Sequence, residues 1–218
     1  MAAQPHAVRR LEYISMQTMQ TAQVLEHFSA MLRARFTAGV FTTEDSVRYT
    51  FYSAASLYGG IRHTEVVLEF PHPVIEDARI DTIIMGAAER DSIAIEFKYD
   101  RGNPGGSNQN RTRRAASALV DIFRLAKIPT EIAAQRYFIY VTDSEMAAYF
   151  KNPANRLCEF FDLSASRALP LGAAAFLGFS QTFRDRVDPH ACECQVKGMF
   201  AADLGKDVSM RAFEVLTA

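Results

Sequence analysis

The chain has 218 residues, of which 49% are hydrophobic and 22% charged, with 24 Lys and Arg against 25 Asp and Glu, three Cys and no Trp. This composition predicts one ordinary soluble domain and excludes a disordered chain, collagen and a coiled coil. A formal net charge of −1 also argues against a protein that holds nucleic acid by its overall charge. Any anionic partner therefore requires a local positive patch.

The sequence carries no targeting or membrane signal that we can identify. The residues after Arg9 and Arg10 do not form the apolar run of a secretory signal, and no segment approaches the roughly 18 apolar residues that cross a bilayer. The three Cys are odd in number, and Cys192 and Cys194 are separated by one residue, which suits a reducing compartment better than a disulfide framework. We expect a cytoplasmic protein with no membrane partner.

Two helical patterns open the chain. Apolar residues recur at helical spacing over 11–36, which predicts one long helix or two shorter ones. Thr42 and Thr43 offer an N-cap for a second helix, which ends at Gly59 and Gly60. Both helices precede the first β-rich segment.

Three short β-rich runs follow at 63–70, 79–85 and 92–99, and turns at 71–73 and 87–91 separate them. Three consecutive strands with short connections favour an antiparallel meander. The first half of the chain therefore combines two helical segments with a small sheet.

A polar, glycine-rich loop at 101–107 then leads into a helix with an apolar stripe, and 137–141 reads as a buried fourth strand. Asp143 or Ser144 is predicted to cap a further helix, and 195–200 with 208–216 is predicted to form a strand pair. The predicted fold class is α/β, one domain in three parts. These parts are a helical extension (1–41), a core (42–150) and a C-terminal elaboration (151–218).

One predicted strand carries an unusual pair of charges. Glu96 and Lys98 project from the same face because side chains alternate along a strand. Burying them on a central strand is costly unless they pair or bind a ligand. Asp81 lies in the apolar run of the preceding strand, and a hairpin register places it beside Glu96. Two close carboxylates and a lysine suit a divalent-metal site for phosphodiester hydrolysis.

These residues resemble the PD-(D/E)XK nuclease superfamily, which has the restriction-endonuclease-like fold. The resemblance is carried by Ile80-Asp81 and by Glu96-Phe97-Lys98, with Ile80 where the name-giving motif has proline. It extends over about residues 42–150, because the order of helix, three strands, helix and strand matches the common core of that fold.

The resemblance implies a Mg²⁺-dependent nuclease, with Mn²⁺ as a possible substitute and DNA as the expected partner. It makes Asp81, Glu96 and the backbone carbonyl of Phe97 the metal ligands and Lys98 the catalytic lysine. Glu44 is implied as an orienting or second-metal residue. An endonuclease that cuts both strands is simplest as a homodimer with two symmetric sites.

The helix that follows the strand with Glu96 and Lys98 is rich in positive charge. Between residues 107 and 127, five basic residues stand against Asp121 alone, a net charge of +4. We predict that Arg113, Arg124 and Lys127 share one face with Val120, opposite the apolar stripe, and hold phosphates there. The full predicted patch comprises Arg111, Arg113, Arg114, Arg124 and Lys127. The loop at 102–107 is expected to approach a backbone phosphate.

Each of these assignments has a structural alternative. Glu96 and Lys98 are also compatible with an exposed ion pair on a solvated strand, and Glu44 with an acid that favours the start of its helix through the helix dipole. The basic patch is compatible with a solvated face or a protein-contact surface. The alternative function is a catalytically inactive module that binds nucleic acid or protein and keeps the nuclease fold.

Overall fold

The computed structural model describes residues 5–86, 92–101, 108–164 and 167–217, which form a seven-stranded mixed sheet with helices on both faces. The predicted α/β class is confirmed. Six α-helices lie in the described residues: α1 Pro5–Thr37, α2 Glu44–Gly59, α3 Asn108–Ala126, α4 Ser144–Lys151, α5 Cys158–Phe161 and α6 Gln181–Val187. The strands are β1 Val66–Pro71, β2 Arg79–Ile84, β3 Ile93–Asp100, β4 Gln135–Thr142, β5 Ala168–Leu171, β6 Cys194–Gly205 and β7 Val208–Thr217.

The strands lie in the order β1-β2-β3-β4-β7-β6-β5. The strands β1, β2 and β3 form the predicted antiparallel meander. β4 joins β3 in parallel after the α3 crossover, with Glu96 opposite Phe138, and the remaining pairs are antiparallel. The predicted order of helix, three strands, helix and strand is therefore observed between α2 and β4.

Two hydrophobic layers enclose the sheet. On one face, α1 and α2 pack through residues such as Phe28 and Phe51 against Ile95 and Phe97 of β3. On the other face, α3 to α6 cover an aromatic layer that includes Phe138 of β4. Because successive strand residues point to opposite faces, Glu96 and Lys98 lie on the α3 side.

Local sequence signals account for both ends of α2 and for the start of α4. The side chain of Thr43 accepts from the Ser46 amide at the start of α2, and Gly60 ends the helix in the left-handed region with φ 66°. Asp143 caps α4 by accepting from the Met146 amide. The apolar pattern over 11–36 belongs to one helix, α1.

The first β-rich run begins later than predicted. Residues His63–Glu65 form a 3₁₀ turn, because the Glu65 carboxylate folds back onto Arg62 and accepts from its amide at 2.9 Å. Strand β1 therefore starts at Val66.

The C-terminal elaboration completes the sheet. The predicted strand pair is confirmed with longer bounds, and Lys206 and Asp207 make the tight turn between β6 and β7 with φ values of 50° and 62°. β7 pairs with β4 and β6, and β5 pairs with β6 as the edge strand opposite β1. The α/β core and the residues after 150 thus share one sheet.

Two predicted connections, the turn at 87–91 and the loop at 102–107, lie outside the described residues. Across the described ranges, no helix combines the length and the apolar character needed to cross a membrane.

Candidate functional site

Strands β2 and β3 separate before β3 ends. Their pairing runs from Ile84 opposite Ile93 to Thr82 opposite Ile95, whereas β3 continues to Asp100. The next residues along the two strands are Asp81 and Glu96. The hairpin register that sequence reasoning assumed for them is therefore present.

Side-chain carboxylates take the place of strand partners beyond this point. Asp81 Oδ2 accepts a hydrogen bond from the Phe97 amide at 2.8 Å, and Glu44 Oε2 accepts one from the Tyr99 amide at 2.9 Å. We call the space between β2 and β3, lined by Asp81, Glu96 and Glu44, the carboxylate gap. The Phe97 carbonyl faces the same edge of β3 as the Phe97 amide, and hence the gap.

Glu44 reaches the gap from the first turn of α2. The pKa of its carboxyl is raised by burial, although the hydrogen bond from Tyr99 and the charge of Lys98 favour the ionised form. An acid at this helix position is also favoured by the helix dipole. The bond to β3 shows that Glu44 additionally ties α2 to the strand that carries Glu96 and Lys98.

Glu96 is the most deeply buried acid of the gap, with 4% of its surface exposed. Burial and the neighbouring Asp81 carboxylate raise the pKa of Glu96 well above its usual range, against the opposing charge of Arg124. Glu96 Oε1 is buried and has no hydrogen-bond partner among the described residues. The alternative of an exposed ion pair on a solvated strand is therefore wrong for Glu96.

Arg48 of α2 closes one side of the gap. Its Nη2 lies 2.7 Å from Asp81 Oδ1, and its Nη1 lies 2.6 Å from Glu69 Oε1 of β1. Burial alone would lower the pKa of Arg48, but the Asp81 and Glu69 carboxylates raise it. Sequence reasoning missed this residue, since nothing in the pattern of α2 separates Arg48 from an ordinary surface arginine.

Asp121 and Arg124 of α3 close the other side. Asp121 Oδ2 lies 3.6 Å from Lys98 Nζ, and Arg124 lies 3.3 Å from Asp121 Oδ1 and 3.4 Å from Glu96 Oε1. Burial raises the pKa of Asp121, although Lys98 and Arg124 favour its charge. Arg124 Nη2 donates a hydrogen bond to the Arg79 carbonyl, and its 3.4 Å contact with Glu96 Oε1 is an ion pair without a hydrogen bond.

Lys98 is held as an ammonium ion. Burial disfavours its charge, but the carboxylates of Asp121, Glu44 and Asp100 more than offset burial and raise the pKa of Lys98. A protonated Lys98 at the gap can donate hydrogen bonds and stabilise negative charge, whereas it is poorly suited to remove a proton.

The predicted face of basic residues on α3 is partly wrong. Arg124 turns toward Glu96 at the gap instead of away from the sheet, and Val120 is buried. Of the other residues in the predicted patch, Arg113 is exposed and Arg111 pairs with Glu145 of α4. The prediction assigned the positive charges to a face from helical spacing alone. It did not take into account that Arg124 would pair with the Glu96 carboxylate of β3.

The remaining members of the patch are separate from one another. The Arg114 side chain donates to the carbonyl of Arg101, which follows β3, and Lys127 follows α3 with its side chain half-buried. A phosphate-binding role for either residue stays a prediction.

Asp121 entered the sequence analysis only as a charge that offsets its basic neighbours. A usable signal was present, because Asp121 lies three residues after Ala118 and one before Ile122, both in the apolar stripe. A carboxylate beside a stripe that packs on a sheet must find a buried cation, which here is Lys98.

In the described part of the chain, no three His, Cys, Asp or Glu side chains are grouped so that they could hold one metal ion. Asp81 and Glu96 form a two-carboxylate arrangement beside the Phe97 carbonyl. Both Asp81 oxygens already accept hydrogen bonds, from Arg48 and from the Phe97 amide. A cation at this place would share Asp81 with these donors or displace Arg48.

Comparison of the chain with models of protein families, with curated proteins and with solved structures gave no match. No relative therefore supplies a role for any residue of the carboxylate gap.

Proposed function

We propose that this protein is a Mg²⁺-dependent nuclease of the PD-(D/E)XK type that hydrolyses phosphodiester bonds, with DNA as the expected substrate. One observation carries the proposal. Asp81, Glu96 and Lys98, on two neighbouring strands, meet where those strands separate, and the buried Glu96 Oε1 lacks any hydrogen-bond donor among the described residues. A buried carboxylate oxygen without a donor favours a bound cation.

The residues of the gap fit Mg²⁺. This ion prefers oxygen ligands, and proteins commonly hold it with one or two carboxylates while water and substrate phosphate complete its coordination. Asp81, Glu96 and the Phe97 carbonyl would supply such a set, and a third carboxylate is not required. Glu44, which also lines the gap, supports the proposal as an orienting residue through its bond to the Tyr99 amide.

A bound Mg²⁺ would acidify a water and neutralise charge on the phosphate under attack. Lys98 performs a different task. Its ammonium, held by Asp121, would donate to a phosphate oxygen or orient the attacking water, and its raised pKa keeps it charged at neutral pH. Asp121 acts through Lys98 as a positioning residue.

The topology also supports a restriction-endonuclease-like core. An antiparallel meander β1-β2-β3 followed by an α3 crossover to a parallel β4 gives the element order of that core, with the candidate residues on its second and third strands. We extend the proposal to a homodimer, since two symmetric sites would cut both strands of a duplex.

A second candidate is an inactive nucleic-acid-binding module with the same fold. The ion pair between Arg48 and Asp81 favours it, because a guanidinium at 2.7 Å occupies a carboxylate oxygen that a cation would use. Cleavage and binding assays separate the two candidates.

The test is a cleavage assay with supercoiled plasmid, linear duplex, single-stranded DNA and RNA, each with Mg²⁺, Mn²⁺ or excess chelator. We expect metal-dependent cleavage of DNA, lost in Asp81→Asn and kept in the control Glu76→Gln, which changes an exposed carboxylate in the turn between β1 and β2. Binding of nucleic acid without cleavage of any substrate would instead favour the inactive module. Equal cleavage by wild type and Asp81→Asn would remove the site assignment.

A further inference from the structure

The carboxylate gap contains an unusual concentration of unsatisfied polar atoms. In the described residues, seven side-chain nitrogen or oxygen atoms are buried without a hydrogen-bond partner. Three of these seven belong to the gap: Glu96 Oε1, Arg48 Nε and Arg124 Nε. Buried polar groups in folded proteins are nearly always hydrogen-bonded, to protein or to ordered water, so three in one place mark the gap as a site that water completes in the free protein and that a ligand can take over.

The three atoms have opposite requirements. Glu96 Oε1 accepts hydrogen bonds or binds a cation, whereas Arg48 Nε and Arg124 Nε can only donate. A single anion or a single cation would satisfy one side of the gap and leave the other unsatisfied. A divalent cation bound together with a phosphodiester satisfies both.

The two arginines flank the gap from different helices. Arg48 extends from α2 to Asp81, and Arg124 extends from α3 to Glu96 and Asp121. Both are mostly buried, with 12% and 23% of their side-chain surface exposed. A guanidinium binds carboxylate and phosphate oxygens with the same fork of N–H groups, so each arginine can exchange one partner for the other.

We propose that Arg48 and Arg124 form a phosphodiester-binding site that is coupled to the cation site of the carboxylate gap. In the free protein the two guanidiniums neutralise Asp81 and Glu96. When a cation binds the carboxylates, the guanidiniums turn to the phosphate. The inference rests on the proposed function, because it uses the same cation site, and it adds Arg48 as a substrate-binding residue.

The coupling has a direct thermodynamic consequence. If the phosphodiester draws the arginines away from the carboxylates, it must tighten cation binding, and the cation must tighten phosphodiester binding by the same factor. A phosphate that coordinates the cation directly also produces linkage, so the arginines account only for the part that is lost in Arg48→Met. Arginines that only maintain the fold would leave the linkage in Arg48→Met as large as in wild type. The two readings therefore differ in equilibrium binding, without reference to cleavage.

The experiment is a Mn²⁺ titration of the full chain, in which electron paramagnetic resonance measures free Mn²⁺. It is done alone, with a short DNA duplex, and with the same duplex carrying uncharged methylphosphonate linkages. Gel analysis after each titration checks that the duplex is intact. We expect the charged duplex to tighten Mn²⁺ binding by about 5-fold or more, within the usual range of coupling between sites, and the uncharged duplex to have no effect.

The decisive variant is Arg48→Met, with Arg62→Met as its matched control. Arg62 also pairs with a carboxylate, that of Glu65, but lies outside the gap with 74% of its side chain exposed. Without DNA, Arg48→Met should bind Mn²⁺ several-fold more tightly than wild type, because the competing guanidinium is gone. Its coupling to the duplex should fall, while Arg62→Met should match wild type in both respects.

A second, more conservative variant tests whether the effect of Arg48→Met comes from misfolding. Arg48→Lys keeps the charge but loses the fork of N–H groups, so we expect a coupling between those of wild type and Arg48→Met. The inference is overturned if Arg48→Met binds Mn²⁺ no more tightly than wild type. It is also overturned if the duplex leaves the Mn²⁺ affinity of wild type unchanged. Coupling without cleavage of any substrate contradicts the proposed function alone, and cleavage without coupling contradicts this inference alone.

Discussion

Two buried carboxylates on one face of β3 differ in a way that separates structure from function. Glu96 and Asp100 lie four residues apart and point to the same side of the sheet, with 4% and 6% of their surface exposed. The hydroxyl of buried Tyr140 donates to Asp100 Oδ2 at 3.0 Å. Glu96 Oε1 has no donor among the described residues. The fold therefore satisfies one acid and leaves the other incomplete.

The comparison shows that burial by itself does not identify a functional acid. Burial raises the pKa of both carboxyls, and a neighbouring cation opposes the shift in each case, Arg124 for Glu96 and Lys98 for Asp100. What differs is the completeness of the hydrogen bonding. A satisfied acid such as Asp100 contributes to stability, whereas an unsatisfied one persists at a cost that a ligand can remove.

The largest expected difference between the two acids is in catalysis. Glu96→Gln should lower metal-dependent cleavage by about 10²-fold or more, because the amide cannot replace a negatively charged ligand. Asp100→Asn keeps an oxygen that accepts from Tyr140 and should retain cleavage within a few-fold of wild type. Initial cleavage rates at saturating Mg²⁺ measure both. Equal losses in the two variants would remove the distinction between the two ends of β3.

The next largest effect is on stability. Here the loss should be larger for a variant of Asp100 than for a variant of Glu96. Asp100→Ala should lower the free energy of unfolding by about 1–3 kcal/mol, because it leaves the buried Tyr140 hydroxyl without its acceptor. Glu96→Gln, measured without metal, should leave the free energy of unfolding unchanged or raise it, since it removes a charge that the fold does not fully satisfy. Urea denaturation gives both values. A Glu96→Gln chain as unstable as Asp100→Ala would indicate that Glu96 is a structural acid.

The smallest effect is in the pH dependence of stability. Between the ordinary pKa of Glu96, 4.5, and its raised pKa in the fold, the folded chain binds more protons at this position than the unfolded chain. The contribution of Glu96 to the free energy of unfolding is therefore present below the ordinary pKa and lost as the pH rises through the raised one. Without metal, the free energy of unfolding of wild type minus that of Glu96→Gln should therefore fall as the pH rises from 4.5 through the raised pKa. A difference independent of pH above 4.5 would contradict the assignment.

Local patterns were sufficient to predict much of this molecule. The cap at Thr43, the stop at Gly60 and the alternation along β3 depend on residues near one another in sequence, and each has the predicted effect. The neighbouring positions of Asp81 and Glu96 followed from a short hairpin, because a one-residue slip in register would turn the apolar side chains of one strand to the opposite face.

The partners of the site were not predictable in the same way. Arg48, Asp121 and Arg124 reach the gap from helices that lie 33 residues before Asp81 or more than 20 after Glu96, and no local pattern fixes where a long side chain ends. The pairing of β7 with β4 was also not predictable from local patterns, because it depends on which sheet edge remains open after the core has formed. Sequence periodicity identifies the faces of the elements, whereas packing decides which charges meet.

The most direct test of the account is whether a divalent cation binds at the Glu96 end of β3 and not at the Asp100 end. Equilibrium Mn²⁺ binding should be compared in wild type, Glu96→Gln and Asp100→Asn under identical conditions, without nucleic acid. We predict one Mn²⁺ site that is lost or weakened at least tenfold in Glu96→Gln and retained in Asp100→Asn. Wild-type affinity in Glu96→Gln, or a loss confined to Asp100→Asn, would contradict the account.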